Sequence, residues 1–227
     1  MDRILSLNIR LVNKLLQDNV ISSTELINAC LERARNIKKY NPFITITDNV
    51  AIKQADASTD RYNKKKTLSE LDGLPIAIKD NFCTENIKTT CASKMLENFI
   101  PKYNATPYAK LKNAGAILIG KTNLDQFAMG SGTVDSIYGP TKNIWGYSDD
   151  NDFFITGGSS GGSAIAVATG TCYALPPANK MTIKGLKIGI PIEYHCEHLS
   201  PDVLDVWDDV ANVLEESGAI IKEVDTY

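Results

Sequence analysis

The sequence predicts an α/β fold, a sheet flanked by helices. Three observations lead there. Two short apolar runs bounded by turn residues, 74–78 and 116–120, have the length and texture of buried strands. The segments around them place apolar residues at helical spacing, and alternation of the two patterns marks helices packed on a sheet. Finally, four glycines and three serines fill residues 157–163, between the apolar run Phe153-Phe154-Ile155 and a series of small residues. That order predicts extended chain, then a tight turn, then a helix buried closely against the sheet.

Taken in order, residues 4–17 carry Leu5, Ile9, Val12, Leu15 and Leu16 at helical spacing and predict a first helix. Ser22 followed by Glu25 is a capping-box pattern, so a second helix is expected over 23–39, burying Leu26, Cys30 and Ala34. Residues 43–47 alternate and predict a strand. A polar helix over about 49–66 should turn Ala51, Ala55 and Tyr62 inward, with Lys64-Lys65-Lys66 as a solvated end. Asp72-Gly73 is a turn, and Lys79 stands at the C-terminal end of the strand after it. Open α/β sheets place ligands beyond that end of their strands.

Residues 106–113 read as a helix stopped by Gly115, and 116–120 as the next strand. A helical turn over 124–129 should lead into Gly130-Ser131-Gly132, and 147–152 should form a polar surface loop. A buried helix is expected over 160–172. The texture changes at 176–180, which divides the chain into 1–175 and a strand–helix–strand segment, 176–227. In that segment 186–190 is a strand, and Ser200-Pro201-Asp202 opens a helix. The helix should bury Val203, Val206, Trp207, Val210, Val213 and Leu214 and stop at Gly218, before a last strand over 219–224.

Composition bounds the function. A net charge of −3 without a basic block argues against a stand-alone nucleic-acid binder. No apolar run approaches the ~20 residues that span a bilayer, so no membrane partner is expected. Cys30, Cys83, Cys91, Cys172 and Cys196 are odd in number and lack C-x-x-C spacing, which fits reduced thiols. The amphipathic start, with Arg3 and Arg10, reads as a helix of the fold better than as a transit peptide. His195-Cys196-Glu197-His198 is too short, and lacks a second half, to predict a metal site.

The turn at 157–163 carries the chemistry. A phosphate-cradling loop would end in Gly-Lys-Ser/Thr, and a dinucleotide loop would read G-x-G-x-x-G; neither pattern is present. A flexible linker would not sit between apolar flanks. Serine hydroxyls at a glycine turn that opens a helix suit acyl transfer, because the helix aims free N–H groups and its positive end at the turn.

The run Gly157-Gly158-Ser159-Ser160-Gly161-Gly162-Ser163-Ala164 resembles the signature of the amidase signature family, as does Pro75-Ile76-Ala77-Ile78-Lys79-Asp80-Asn81. The resemblance spans most of residues 20–175 and implies the amidase-signature fold, a mixed twisted sheet flanked by helices, here incomplete. It implies a Ser–cis-Ser–Lys triad in which Lys79 is the base and Ser159 the relay, with a cis Gly158–Ser159 peptide. Gly157, Gly158, Ser160 and Ser163 would build the turn, and Met129, Gly130 and Ser131 would line the substrate pocket.

Thr89-Thr90-Cys91-Ala92-Ser93, Gly120-Lys121-Thr122-Asn123-Leu124-Asp125 and Phe127-Ala128-Met129-Gly130-Ser131-Gly132 are similar to the branch of the family that serves tRNA-dependent amidotransferases. That branch implies glutamine as ammonia source, conversion of Glu-tRNA(Gln) to Gln-tRNA(Gln), partner B and C subunits, and the mitochondrial matrix. ATP and Mg²⁺ would be used by the B subunit, with no cofactor or metal in this chain. The alternatives are a stand-alone amide hydrolase of the same family and a non-catalytic scaffold or fragment.

Position 183, where the family places its nucleophilic serine, holds Ile183, and no Asp-Thr-Gly-Gly-Ser motif occurs downstream. Thr182 lies beside that position without a glycine turn before it. Residues 185–191 resemble a much later family segment. The expectation is therefore a chain deleted after Leu175 and truncated at its C-terminus, with two members of a triad, no nucleophile and no amidase activity of its own.

Overall fold

The computed structural model describes residues 2–146, 152–173, 185, 187–191 and 201–224. The chain divides into two compact units, Met1–Leu175 and Pro176–Tyr227. Part of the 147–152 loop, the Leu175–Pro176 junction, Thr182, Ile183, residues 195–198 and Ser200 lie outside the described residues.

The first unit is built on a mixed three-stranded sheet in the order β1-β3-β2. Strand β1 (Phe43–Ile46) runs antiparallel to β3 (Ile117–Thr122), and β2 (Pro75–Lys79) runs parallel to it. Central β3 is buried along its whole length, which is why it reads as a continuous apolar run rather than an alternating one. The β1–β3 register shifts between Phe43 and Thr45. Opposite that shift a Cβ on Gly120 would lie 2.5 Å from the Thr45 carbonyl oxygen, so only glycine admits the close backbone approach.

The expected helix over 4–17 is two helices, α1 (Asp2–Leu5) and α2 (Ile9–Gln17). Asn8 breaks it: its extended backbone and its Oδ1, which accepts the Leu11 N–H at 3.0 Å, start a new helix there. Helix α3 (Ser23–Asn36) begins at the Ser22–Glu25 capping box. Ser22 Oγ accepts the Glu25 N–H at 3.1 Å, and Glu25 accepts the Ser22 N–H at 2.8 Å. Loss of such a cap costs about 1 kcal/mol. Leu16, Leu26, Ile27 and Leu31 are fully buried with Cys30 between α2, α3, α4 (Asp48–Asn63) and the sheet. Each large apolar side chain contributes about 1.5–3 kcal/mol relative to exposure.

Asp72, at the predicted turn, organises the far side. Its carboxylate accepts two bonds from Arg61, at 2.6 and 2.8 Å, and one each from Ser58 Oγ and the Leu68 N–H. Burial pushes its pKa up, but these donors together hold it below the usual carboxylate range. Helix α5 (Thr106–Asn113) precedes β3, and α6 (Gly161–Ala168) packs on β2 and β3. The expected helix over 160–172 is shorter than its apolar texture suggested, because Gly170 takes φ +68 just after the Thr169 cap.

The second unit pairs β4 (Lys187–Pro191) with β5 (Ile220–Val224) in parallel, connected through α7 (Pro201–Glu216). The burial expected for α7 is corrected here: Val206, Val210 and Val213 are more than half exposed and Leu214 is partly so. The side chains of Val203 and Trp207 lie outside the described residues. An apolar stripe at helical spacing states a demand for cover; within this unit two strands do not meet it.

Candidate active site

Two segments far apart in sequence meet at one corner of the first unit. Strand β2 delivers Lys79 at its C-terminal end. The glycine turn delivers Ser159 and Ser160 immediately before α6. Lys79 Nζ lies 2.6 Å from Ser159 Oγ and 2.8 Å from Ser160 Oγ. The Gly158–Ser159 peptide is cis. Burial lowers the Lys79 pKa, and the negative charge of Asp125 partly offsets that. The amine thus loses its proton more readily than an ordinary lysine, with two hydroxyls in hydrogen-bond contact.

The turn is held by a loop on its other side. A Cβ on Gly158 would fall 2.5 Å from Asp125 Oδ2, from the Gly132 nitrogen and from the Ser131 carbonyl carbon, so this position has room for glycine alone. Thr133 Oγ1 donates to the Gly157 carbonyl at 2.9 Å and accepts the Gly161 N–H at 2.9 Å, spanning the turn. Beneath it, fully buried Asp125 accepts N–H groups from Thr133 and Val134 at 2.9 Å and from Asp135 at 3.2 Å. Ser163, on the first turn of α6, bonds Thr122 Oγ1 at 2.7 Å and ties the helix to the end of β3.

One residue beyond Lys79, Asp80 points inward. Its Oδ2 accepts the Thr90 N–H at 2.8 Å and the Thr90 hydroxyl at 2.6 Å. Its Oδ1 lies 2.8 Å from Lys121 Nζ, held by charge without a well-aligned hydrogen bond. Both side chains are fully buried. Lys121 also donates to Thr89 Oγ1 at 2.9 Å and the Lys88 carbonyl at 3.2 Å. Burial lowers the Lys121 pKa, and Asp80 opposes that shift.

Of the residues read from sequence, the structure brings Lys79, Ser159 and Ser160 into contact, with Gly157 and Gly158 forming the turn, Ser131 packed behind it and Gly130 against Asp125. Met129 stands 80% exposed. The helical turn expected over 124–129 is a 3₁₀ turn over Gln126–Ala128, with Phe127 and Ala128 at positive φ. Sequence reasoning missed the roles of Asp125 and Thr133. The available signal was that Asp125 is the lone charge between Lys121 and Asp135. Among the described residues no group of three His, Cys, Asp or Glu side chains gathers as a metal site.

A family profile described as Amidase matches residues 25–175. The chain is 38% identical over 305 aligned positions to the A-type subunit of mitochondrial glutamyl-tRNA(Gln) amidotransferase from Aedes aegypti, covering 99% of this chain and 62% of that protein. It is 50% identical over 182 positions to the Homo sapiens protein of the same name, covering 74% of this chain and 34% of that one. The chain therefore spans about three fifths of the length of relatives such as the mosquito protein. Because 305 aligned positions exceed the 227 residues here, that relative carries residues inside the aligned span that this chain lacks. Among solved structures, a crystal structure of an amidase superposes with a TM-score of 0.76 at 21% identity, over 96% of this chain and 63% of that one. The A-type subunit of glutamyl-tRNA(Gln) amidotransferase from Thermotoga maritima gives 0.72 at 24% identity, over 98% and 62%. These two likenesses establish the amidase fold.

Proposed function

The chain belongs to the amidase family, and from that premise we propose that it is an A-type subunit of a glutamyl-tRNA(Gln) amidotransferase serving mitochondrial translation. The observation that carries the reading is the 2.6 Å contact of Lys79 Nζ with Ser159 Oγ at the glycine turn. In a complete site of this kind, neutral Lys79 takes a proton from Ser159 while Ser159 takes one from a nucleophilic serine. The serine attacks the glutamine carboxamide, ammonia leaves, and water hydrolyses the acyl-enzyme. The ammonia then serves to convert Glu-tRNA(Gln) to Gln-tRNA(Gln) in a complex with B and C subunits. ATP and Mg²⁺ belong to the B subunit in this reading, and this chain holds neither.

The names of its relatives support the assignment to mitochondria and to a multi-subunit enzyme. The sequence holds Ile183 where the nucleophile is expected and no Asp-Thr-Gly-Gly-Ser motif. The chain by itself is therefore inactive toward glutamine and works as a binding subunit. The test is ammonia release from glutamine by purified chain. No release above buffer is expected; sustained turnover that Ser159→Ala abolishes would overturn the inactive assignment.

A further inference from the structure

The two serines that touch Lys79 differ in access. Ser159 is half-buried, whereas Ser160 is exposed, yet its Oγ is 2.8 Å from the same amine. The approach is open: a Cβ on Gly157 would meet no heavy atom within 4 Å, and Met129 nearby along the supporting loop is 80% exposed. Ser160 is also the residue from which α6 springs, so the positive end of that helix lies at its hydroxyl. A serine hydroxyl in contact with a lysine amine holds the nucleophile and the base of a two-residue acyl-transfer site.

We propose that Ser160 is an acyl acceptor in this chain, taking small acyl groups from activated esters with Lys79 as its base. The proposal rests on the reading of Lys79 as a base. In the step, neutral Lys79 Nζ removes the Ser160 Oγ proton as Oγ attacks the ester carbonyl carbon. The new Oγ–C bond forms, the bond from carbon to the aryloxide oxygen breaks, and the aryloxide leaves with that electron pair. The proton stays on Lys79 as an ammonium and is later lost to solvent. An aryloxide departs without being protonated, whereas the amine of an amide does not, so this site is acylated by esters and leaves glutamine intact. The serine ester formed is a poorer acyl donor than the aryl ester that loads it, so water removes the acyl group more slowly than it is delivered and about one accumulates per chain.

The probe is p-nitrophenyl acetate added to the full chain. The expected result is a burst of p-nitrophenolate approaching one per chain, with acetyl found on Ser160 by peptide mass spectrometry. Ser160→Ala removes the burst, and Lys79→Met slows acylation roughly 100-fold or more. Ser160→Cys, with its circular dichroism unchanged, keeps an acyl group at position 160 as a thioester and so separates lost chemistry from lost fold. The acylation rate rises with pH and levels off below the usual lysine range. Acetyl on Lys79 Nζ or on Ser159, a rate that keeps rising through the ordinary lysine range, or no burst would each overturn the proposal. Ammonia release from glutamine would instead count against the inactive assignment and leave the position of the adduct untouched.

Discussion

Lys79 and Lys121 stand on adjacent strands, where Ile78 pairs with Lys121 and Lys79 with Thr122. Burial lowers the pKa of both. Their company separates them. Lys121 is fully enclosed and has a carboxylate at 2.8 Å, a hydroxyl and a carbonyl around it. Lys79 is half-buried and meets two hydroxyls; the Asp125 carboxylate that acts on it from a distance already accepts three loop N–H groups. A matched counter-charge keeps an amine charged and fixed. Neutral donors and acceptors leave it free to exchange a proton. Two similar strand positions thus become a structural tie and a chemical group through their neighbours alone.

The strongest way to break this contrast is Asp80→Ala. It strands a buried lysine and should lower unfolding free energy in urea by about 3–5 kcal/mol. A loss under about 1 kcal/mol would mean the pair is not the tie described. Pairing Asp80→Asn with Lys121→Met sharpens the same point: the double variant should be more stable than the summed single losses, with a coupling of about 1–3 kcal/mol. Additive losses would dissolve the pair as a unit. Gly158→Ala, whose Cβ lands 2.5 Å from Asp125 and the 131–132 backbone, should cost about 1–3 kcal/mol by overpacking. Lys79→Met should cost about 1 kcal/mol or less, the worth of ordinary hydrogen bonds. If it cost as much as Asp80→Ala, the two lysines would be alike after all.

The smallest effect is in pH. The folded Lys79 pKa is depressed, so between it and the ordinary lysine value the unfolded chain binds more protons. Stability should therefore climb with pH across that window and flatten above it. Urea unfolding at a series of pH values should show a shallower climb in Lys79→Met.

The parts legible in sequence were those written locally. Ser22 and Glu25 announce α3 because a capping box lies within one turn. The apolar runs at β2 and β3 announce strands because each is written within five or six residues, though only β3 is buried throughout and β2 is half-buried after Pro75. Lys79 and Ser159 were legible as a pair through the family resemblance of their two motifs, since nothing local says that residues so far apart meet. Asp125, Asp72 and the Asp80–Lys121 pair were not legible. Each is a carboxylate whose partners arrive from other segments, and a lone acidic residue in sequence looks the same whether solvated or enclosed. The α7 stripe failed for the opposite reason: Val206, Val210 and Val213 keep the spacing of a buried face, and spacing carries no record of what covers it.

The Lys79–Ser159 contact closes a loop of 80 residues. Neither half has its partner before the other is seated, and the entropic cost of closing a loop of that span is offset only once β2 has found β3 and α6 has docked. During synthesis the amine emerges first and remains an ordinary solvated cation. Its lowered proton affinity begins only when the sheet is finished, so in a partly made chain the hydroxyl proposed to accept acyl groups has no base beside it.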